Sequence, residues 1–183
     1  MKIKPFIVGK SINLRPLTRA DLDGNYINWF NDAEVCLYNS HHVYPYGQEQ
    51  AAQYISAIQN NKNDLVLAIS DKKNDKHIGN VSLQKIDLVS RNAEYAIILG
   101  EKEYWGKGIA KEASLLILKH GFEQLNLHRI YCGTSENNKA MQKLASALGM
   151  KEEGRRKEVL YKDGKYADII EYGLLRKNFQ TLK

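Results

Sequence analysis

The chain has 183 residues, 43% of them hydrophobic, with three prolines, two distant cysteines and a net charge of +6. This composition predicts one globular domain over residues 1–183, and it argues against a disordered chain, a disulfide scaffold and a cysteine zinc site. No apolar run approaches the ~20 residues of a membrane span, and the basic residues are scattered rather than clustered, which disfavours membrane and nucleic-acid partners and favours an anionic small molecule.

The first third of the chain is predicted to form one strand and two helices. Residues 12–17 alternate apolar and polar side chains and end at Thr18, which with Asp21 resembles a helix-capping box. Helical spacing of apolar residues then predicts a first helix that ends near residue 31 and a second over residues 48–60.

Residues 34–47 are polar and aromatic without a period, which predicts a loop that could line a substrate cleft. His41 and His42 lie in it. Adjacent residues point apart and no zinc-type spacing accompanies them, so the sequence predicts no metal site here.

The middle of the chain changes to a strand pattern. Residues 65–69, 78–88 and 93–99 predict three consecutive strands in an antiparallel meander. A helical pattern from 106 to 126 and a strand over 128–134 follow. Strand, helix and strand in this order predict a right-handed crossover, which makes strands 93–99 and 128–134 parallel neighbours.

The last third predicts a short helix over residues 140–148, closed by Gly149, and a hairpin of residues 159–162 and 166–175. The predicted fold class is therefore α/β of the α+β type. It has a mixed, mostly antiparallel sheet of about seven strands, one crossover and flanking helices.

The turn before the long helix reads Trp105-Gly106-Lys107-Gly108. A glycine-rich turn at a helix N-terminus offers free backbone N–H groups and the positive end of the helix dipole, which favours a phosphate group. Its spacing fits neither a dinucleotide-binding fingerprint nor a Walker loop.

Residues 104–113 resemble the acetyl-coenzyme A loop of the GNAT superfamily of N-acetyltransferases. The motif Gln/Arg-x-x-Gly-x-Gly/Ala falls on residues 105–110, with Trp105 in place of Gln or Arg, as in the branch of ribosomal-protein-alanine N-acetyltransferases. Asn138 and the later Leu148-Gly149-Met150 resemble the turn and helix end of the family. The similarity covers residues 12 to 179.

The resemblance implies a GNAT-like fold and an enzyme that moves the acetyl group of acetyl-CoA to a primary amine in a ternary complex. A coenzyme A-binding sensor without turnover is the alternative. No metal is implied. The residues that the resemblance assigns to the cofactor are Ile97, Ile98, Leu99, Trp105, Gly106, Lys107, Gly108, Ile109, Ala110, Lys111, Asn138 and Lys143.

Two carboxylates are the candidates for the catalytic base. Glu94 lies in the strand beside the expected thioester, and Glu158 aligns with an acid of the ribosomal branch. Each could instead form an ordinary ion pair, Glu94 with Arg91 and Glu158 with the basic residues 155–157.

The resemblance assigns no residue of this chain as the general acid, because Ala145 and Met141 stand where relatives place tyrosine or serine. Tyr131, Ser135, Tyr161 or water could protonate the leaving thiolate, and a backbone N–H near residues 97–98 could hold the oxyanion.

The acceptor stays open at this point. A protein N-terminus, a polyamine and an amino sugar all fit the expected chemistry. We predict a cytoplasmic monomer or homodimer that binds neither nucleic acid nor membrane.

Overall fold

A computed structural model describes residues 4–180 of the chain. The strands are β1 (Ile7–Val8), β2 (Ile12–Pro16), β3 (Leu65–Asp71), β4 (His77–Asp87), β5 (Asn92–Leu99), β6 (Arg129–Ser135), β7 (Lys151–Lys162) and β8 (Lys165–Leu175). The helices are α1 (Tyr26–Phe30), α2 (Gln48–Asn60), α3 (Ile109–Glu123), α4 (Lys139–Ala147) and α5 (Arg176–Gln180).

All eight strands form one sheet in the order β1-β2-β3-β4-β5-β6-β8-β7. Every neighbouring pair is antiparallel except β5 and β6, which are parallel and joined through α3. The predicted mixed, mostly antiparallel sheet with one crossover is confirmed. The sheet has one strand more than the seven expected, because the short β1 pairs with β2 over two residue pairs that carry too little pattern to detect.

Two apolar cores lie on opposite faces of the sheet. Helices α3 and α4 contribute to the larger core, where Tyr95, Ile117 and Leu148 are buried. Helices α1 and α2 cover part of the other face with Trp29 and Ile55. The remainder of that second face, around β6 and β8, is the surface on which the candidate site lies.

The predicted first helix is divided in two. A 3₁₀ turn covers Arg19–Asp23, and α1 begins only at Tyr26, after an extended Gly24. Asp21 is buried and its carboxylate accepts hydrogen bonds from Arg15 and from the Thr18 backbone N–H. The predicted capping box of Thr18 and Asp21 is present, and Asp21 also forms a buried ion pair with Arg15 of β2, a partner that the local pattern could not indicate.

Strand β7 begins eight residues before the predicted start of the hairpin. It lies at the edge of the sheet and nearly all of its residues are exposed, so its sequence has no apolar alternation. Its connection to β8 is the two-residue turn Asp163-Gly164, with φ of 50° and 78°. Gly149 has a φ of 76° and follows α4 as predicted.

No helix within residues 4–180 is both long enough and apolar enough to cross a membrane.

Candidate active site

Strands β5 and β6 are paired at one end and separate toward the other. They share three residue pairs, the last of which is Glu94 with Tyr131. Beyond it, β5 pairs only with β4 on its far side, and β6 pairs only with β8. Residues 95–99 and 132–135 therefore border a gap inside the sheet, where backbone groups of both strands can accept an extended ligand as an added strand would.

The glycine-rich turn lies where β5 ends and α3 begins. Gly106 and Gly108 have φ of 72° and 78°, and a Cβ built on either would have no neighbour within 4 Å. The left-handed backbone thus requires glycine, and the space beside it is open. Because Gly108 is the N-cap of α3, the N–H groups of Ile109, Ala110 and Lys111 have no acceptor inside the helix.

Trp105 connects this turn to the gap. Its indole Nε1 donates a hydrogen bond of 2.7 Å to the carbonyl oxygen of Leu99, the last residue of β5. The first turn of α3 is held from the other side, because Glu112 accepts hydrogen bonds from the backbone N–H and the hydroxyl of Ser11. These contacts fix the turn and the helix N-terminus beside the open end of the gap.

Three predicted cofactor lysines are exposed. Lys107 lies in the turn with its Nζ 5.8 Å from the centre of the Tyr104 ring, Lys111 is in the first turn of α3, and Lys143 is on α4. Their positive charge adds to that of the helix N-terminus, which favours an anionic group there.

Asn138 is the N-cap of α4 and lies three residues after the end of β6. Its Oδ1 accepts a hydrogen bond of 3.0 Å from the Met141 backbone N–H. The oxygen therefore caps the helix, and the amide Nδ2 is the group that can donate to a ligand in the gap.

Glu94 lies at the closed end of the gap, with its side chain on the face opposite α3. It forms an ion pair of 2.7 Å with Lys85. The alternative pairing with Arg91 is wrong, since Arg91 donates instead to the backbone and side-chain oxygens of Asn126.

Glu158 lies in a bulge of β7, where residues 157–159 stand opposite Asp168 alone. It is exposed, its φ is 51°, and its backbone N–H donates to Asp168 Oδ1 at 2.9 Å. The expected pairing with the preceding basic residues is wrong, because Arg155 and Lys157 pair with Asp168 and Arg156 pairs with Glu171.

The structure does not bring Glu94 and Glu158 together. Strands β6 and β8 lie between β5 and β7, and Glu158 stands opposite Asp168, five residues along β8 from Gly173, which is level with Glu94. With about 4.8 Å between strands and about 3.3 Å per residue, the two backbones are on the order of 20 Å apart. The two carboxylates are therefore too far apart to contact the same reacting atom.

The strip of β6 that lies between Glu94 of β5 and Glu171 of β8, on the face that carries both side chains, is called the groove below. Its floor is formed by Tyr131, Gly133 and Ser135, which alternate to this face. At the Ser135 end a cleft of about 250 Å³ opens between residues 37–38 and the β7–β8 hairpin. The irregular segment after α1 thus lines a cleft beside the groove, as its aromatic composition predicted.

Sequence reasoning missed Glu171 of β8. Its carboxylate lies over Gly133, so that a Cβ at Gly133 would stand 3.2 and 3.3 Å from its two oxygens. The detectable signal was a lone acid inside the apolar run of residues 169–174.

The candidate proton donors occupy different environments. Tyr131 is half-buried and paired in register with Glu94, Ser135 is buried, and Tyr161 is exposed on the hairpin, where its ring packs against Tyr166. Ala145, at the place where relatives carry tyrosine, is fully buried.

The two cysteines are buried and unpaired. Burial, together with the nearby carboxylates of Glu171 and Glu94, raises the pKa of the Cys132 thiol to about 12, so this thiol stays protonated at neutral pH. Among residues 4–180 no group of three or more histidine, cysteine or acidic side chains is arranged to hold a metal ion. His41 and His42 line a separate cavity of about 190 Å³.

Comparison with known proteins agrees with this geometry. The family model of the acetyltransferase (GNAT) domain matches residues 11–151. Spermidine N(1)-acetyltransferase of Escherichia coli is 31% identical over 161 residues, covering 87% of this chain and 83% of that protein. A putative ribosomal N-acetyltransferase of Bacillus subtilis, YdaF, is 31% identical over 105 residues, or 57% of each chain.

Solved structures show the same architecture. The spermidine N-acetyltransferase of Vibrio cholerae, crystallised with CoA and spermine, superposes with a TM-score of 0.85 at 26% identity over 93% of this chain and 98% of that one. These matches support acetyl transfer to an amine over the alternative of a non-catalytic module. The chain belongs to the GNAT acetyltransferase family and is an acetyl-CoA-dependent N-acetyltransferase.

Proposed function

We propose that the acceptor is a linear polyamine of the spermidine class, acetylated on a primary amine. The observation that carries this proposal is the similarity over nearly the whole chain to proteins named as spermidine acetyltransferases, from two organisms. The match to the ribosomal relative covers only 57% of either chain. Two carboxylates on the groove, Glu94 and Glu171, provide negative charge for a polycation within an otherwise basic protein.

For the cofactor, we propose that the backbone N–H groups of residues 106–111 bind the pyrophosphate, with Lys107, Lys111 and Lys143 nearby. The open turn and the unpaired first turn of α3 support this placement. The pantetheine arm would lie in the gap along Ile97, Ile98 and Leu99, with Asn138 Nδ2 donating to one of its carbonyl groups. Trp105 would position the turn through its bond to Leu99.

We propose Glu94 as the base, acting directly or through one water. It lies at the closed end of the gap, where the thioester of a cofactor lying along residues 97–99 would end. The neutral amine nitrogen attacks the thioester carbonyl carbon, the C–N bond forms, and the nitrogen proton passes to the carboxylate. Glu158, on the order of 20 Å away across the sheet, would serve at the rim of the acceptor groove.

In the same scheme, a backbone N–H at residue 97 or 98 donates to the oxyanion. The C–S bond then breaks and the thiolate leaves as coenzyme A, taking a proton from Tyr131 or from solvent. Tyr131 is favoured over Ser135 and Tyr161 because it is in register with Glu94. A thiol is a good leaving group, so loss of Tyr131 would slow the reaction only modestly.

The test is release of free thiol from acetyl-CoA in the presence of a panel of amines. The panel contains spermidine, spermine, simple diamines, amino sugars and peptides with a free N-terminus. We expect the highest kcat/KM with spermidine or spermine. A peptide or an amino sugar as the best acceptor would overturn the polyamine assignment. A cytoplasmic location, a single domain, a monomer or homodimer, and the absence of a nucleic-acid partner stay predictions from the sequence.

A further inference from the structure

Two carboxylates face the same groove from opposite sides. Glu94 projects from β5, Glu171 projects from β8, and β6 lies between these strands. Glu94 is in register with Tyr131, whereas Glu171 is in register with Gly133, two residues farther toward the cleft. From the spacing of strands and residues, their backbones are on the order of 10 Å apart.

The position of Glu171 depends on Gly133. Because this residue has no side chain, the carboxylate can lie directly over the β6 backbone, 3.2 and 3.3 Å from the position that a Cβ would take. The Glu171 side chain is 28% exposed, so it is held in the groove but still open to solvent. The negative charges of Glu171 and Glu94 both interact electrostatically with Cys132, on the opposite face of β6, and contribute to the raised pKa of its thiol.

Arg156 of β7 is the present partner of Glu171. Its Nε lies 2.6 Å from Glu171 Oε1, and its side chain is 61% exposed. Exposed ion pairs of this kind contribute at most about 1 kcal/mol, because solvent screens them and two long side chains lose freedom. A cationic group that enters the groove can therefore displace Arg156 at little cost.

Glu171 is also too far along the groove to act on the attacking nitrogen, if that nitrogen meets the thioester near Glu94. It lies toward the cleft instead, where the side chains of Leu37, Leu160 and Ala167 provide apolar surface for a carbon chain. A carboxylate at this place suits a charged nitrogen that is not acetylated.

We propose that Glu171 is a specificity-determining residue that binds a second, cationic nitrogen of the acceptor, and that Arg156 occupies the place of this nitrogen until the acceptor enters. The proposal rests on the proposed transfer to a polyamine, since a second cation belongs to that class of acceptor. It assigns opposite effects to the two members of one ion pair, which a purely structural role would not produce.

The experiment measures KM and kcat for wild type, Glu171→Gln and Arg156→Ala with the best acceptor of the amine panel, and with butane-1,4-diamine against butylamine. We expect Glu171→Gln to raise KM for the best acceptor about ten- to hundredfold, the effect of losing one charge-assisted hydrogen bond. The KM for acetyl-CoA and kcat should stay unchanged. Arg156→Ala should lower the acceptor KM severalfold, and wild type should prefer the diamine to the monoamine.

Glu123→Gln on α3 is the matched control, because it removes the same charge from the opposite side of the sheet. An unchanged acceptor KM in Glu171→Gln, or equal changes for the diamine and the monoamine, would overturn the proposal. So would a rise of KM in Arg156→Ala. Failure of the proposed function is seen separately, as a wild-type panel whose best acceptor is not a polyamine. In that case an unchanged KM of Glu171→Gln for that acceptor still refutes the role of Glu171.

Discussion

The indole Nε1 of Trp105 donates a hydrogen bond to the carbonyl oxygen of Leu99 at 2.7 Å. The family motif that the turn resembles has Gln or Arg at this position. In this chain the aromatic residue instead ties the turn to the last residue of β5, while the backbone N–H groups of the turn stay available. The Trp105 side chain thus changes how the turn is held without occupying its backbone N–H groups.

Trp105→Phe tests this role. The ring is kept and the donor is lost, so we expect the Kd of coenzyme A to rise about three- to tenfold, as for a hydrogen bond worth about 1 kcal/mol. Titration calorimetry with coenzyme A measures the change. Trp105→His, which retains a ring N–H, should recover part of the affinity. Equal affinity of all three proteins would show that the bond does not position the turn.

Gly108→Asp tests the phosphate site. The change places a carboxylate beside the proposed pyrophosphate and strains a backbone of φ 78°, and we expect coenzyme A affinity to fall at least a hundredfold. Gly164→Asp is the matched control, because Gly164 has the same φ and similarly open surroundings but lies in the β7–β8 turn. If both variants bind coenzyme A like wild type, the pyrophosphate lies elsewhere.

Glu94→Gln and Glu158→Gln separate the two candidate bases. Loss of the base should lower kcat at least tenfold and remove the acid limb of the pH–rate profile, since general bases typically contribute 10²–10⁴-fold. We expect this result for Glu94→Gln. Glu158→Gln should change the acceptor KM more than kcat, because its side chain lies at the rim. The reverse pattern would make Glu158 the base, and two unaltered profiles would leave water as the proton acceptor.

The buried pair of Asp21 and Arg15 makes stability depend on pH. Burial opposes ionisation of Asp21, but the His77 ring, whose Nδ1 lies 3.3 Å from Oδ1, and the hydrogen bonds from Arg15 outweigh it and hold the pKa of this carboxyl well below its ordinary value. A lowered pKa gives stability that is present above the unfolded value of about 3.9 and is lost as the pH falls through the folded value. Asp21→Asn should therefore cost about 3–5 kcal/mol at pH 7.

Urea unfolding of Asp21→Asn and wild type at pH 7 and at pH 3 measures this difference. We expect the difference in unfolding free energy between the two proteins to be smaller at pH 3, because the ionised Asp21 of the wild type stabilises the folded state less as the pH falls below the unfolded pKa. Asp23→Asn is the control, because Asp23 lies two residues away and is exposed. An equal difference in unfolding free energy at both values of pH would contradict an ionised Asp21 in the folded protein.

Local patterns were sufficient for most of the secondary structure. Helix α2 has the predicted bounds, and α4 ends before Gly149 as expected, because period and capping are properties of neighbouring residues. The order of strand, helix and strand predicted the crossover. The glycines of residues 106–108 at the start of the helix predicted a turn that suits a phosphate group. The start of strand β7 and the division of the first helix were harder to predict from the sequence. An exposed edge strand lacks the alternation of apolar and polar residues, and the buried Asp21 is a charged residue where a solvent-exposed one is usual.

The sequence by itself thus indicated the family, the turn that suits a phosphate and the strands that border the gap, because motifs, periods and the order of elements can be read along the chain. Only the tertiary structure decided which carboxylates share a groove. Glu94 and Glu158 are separated by two strands, whereas Glu94 and Glu171 lie on the same face on either side of β6, with Glu171 packed over Gly133. Strand order brings residues 94, 133 and 171 together, and no local period in the chain records which strands will be neighbours.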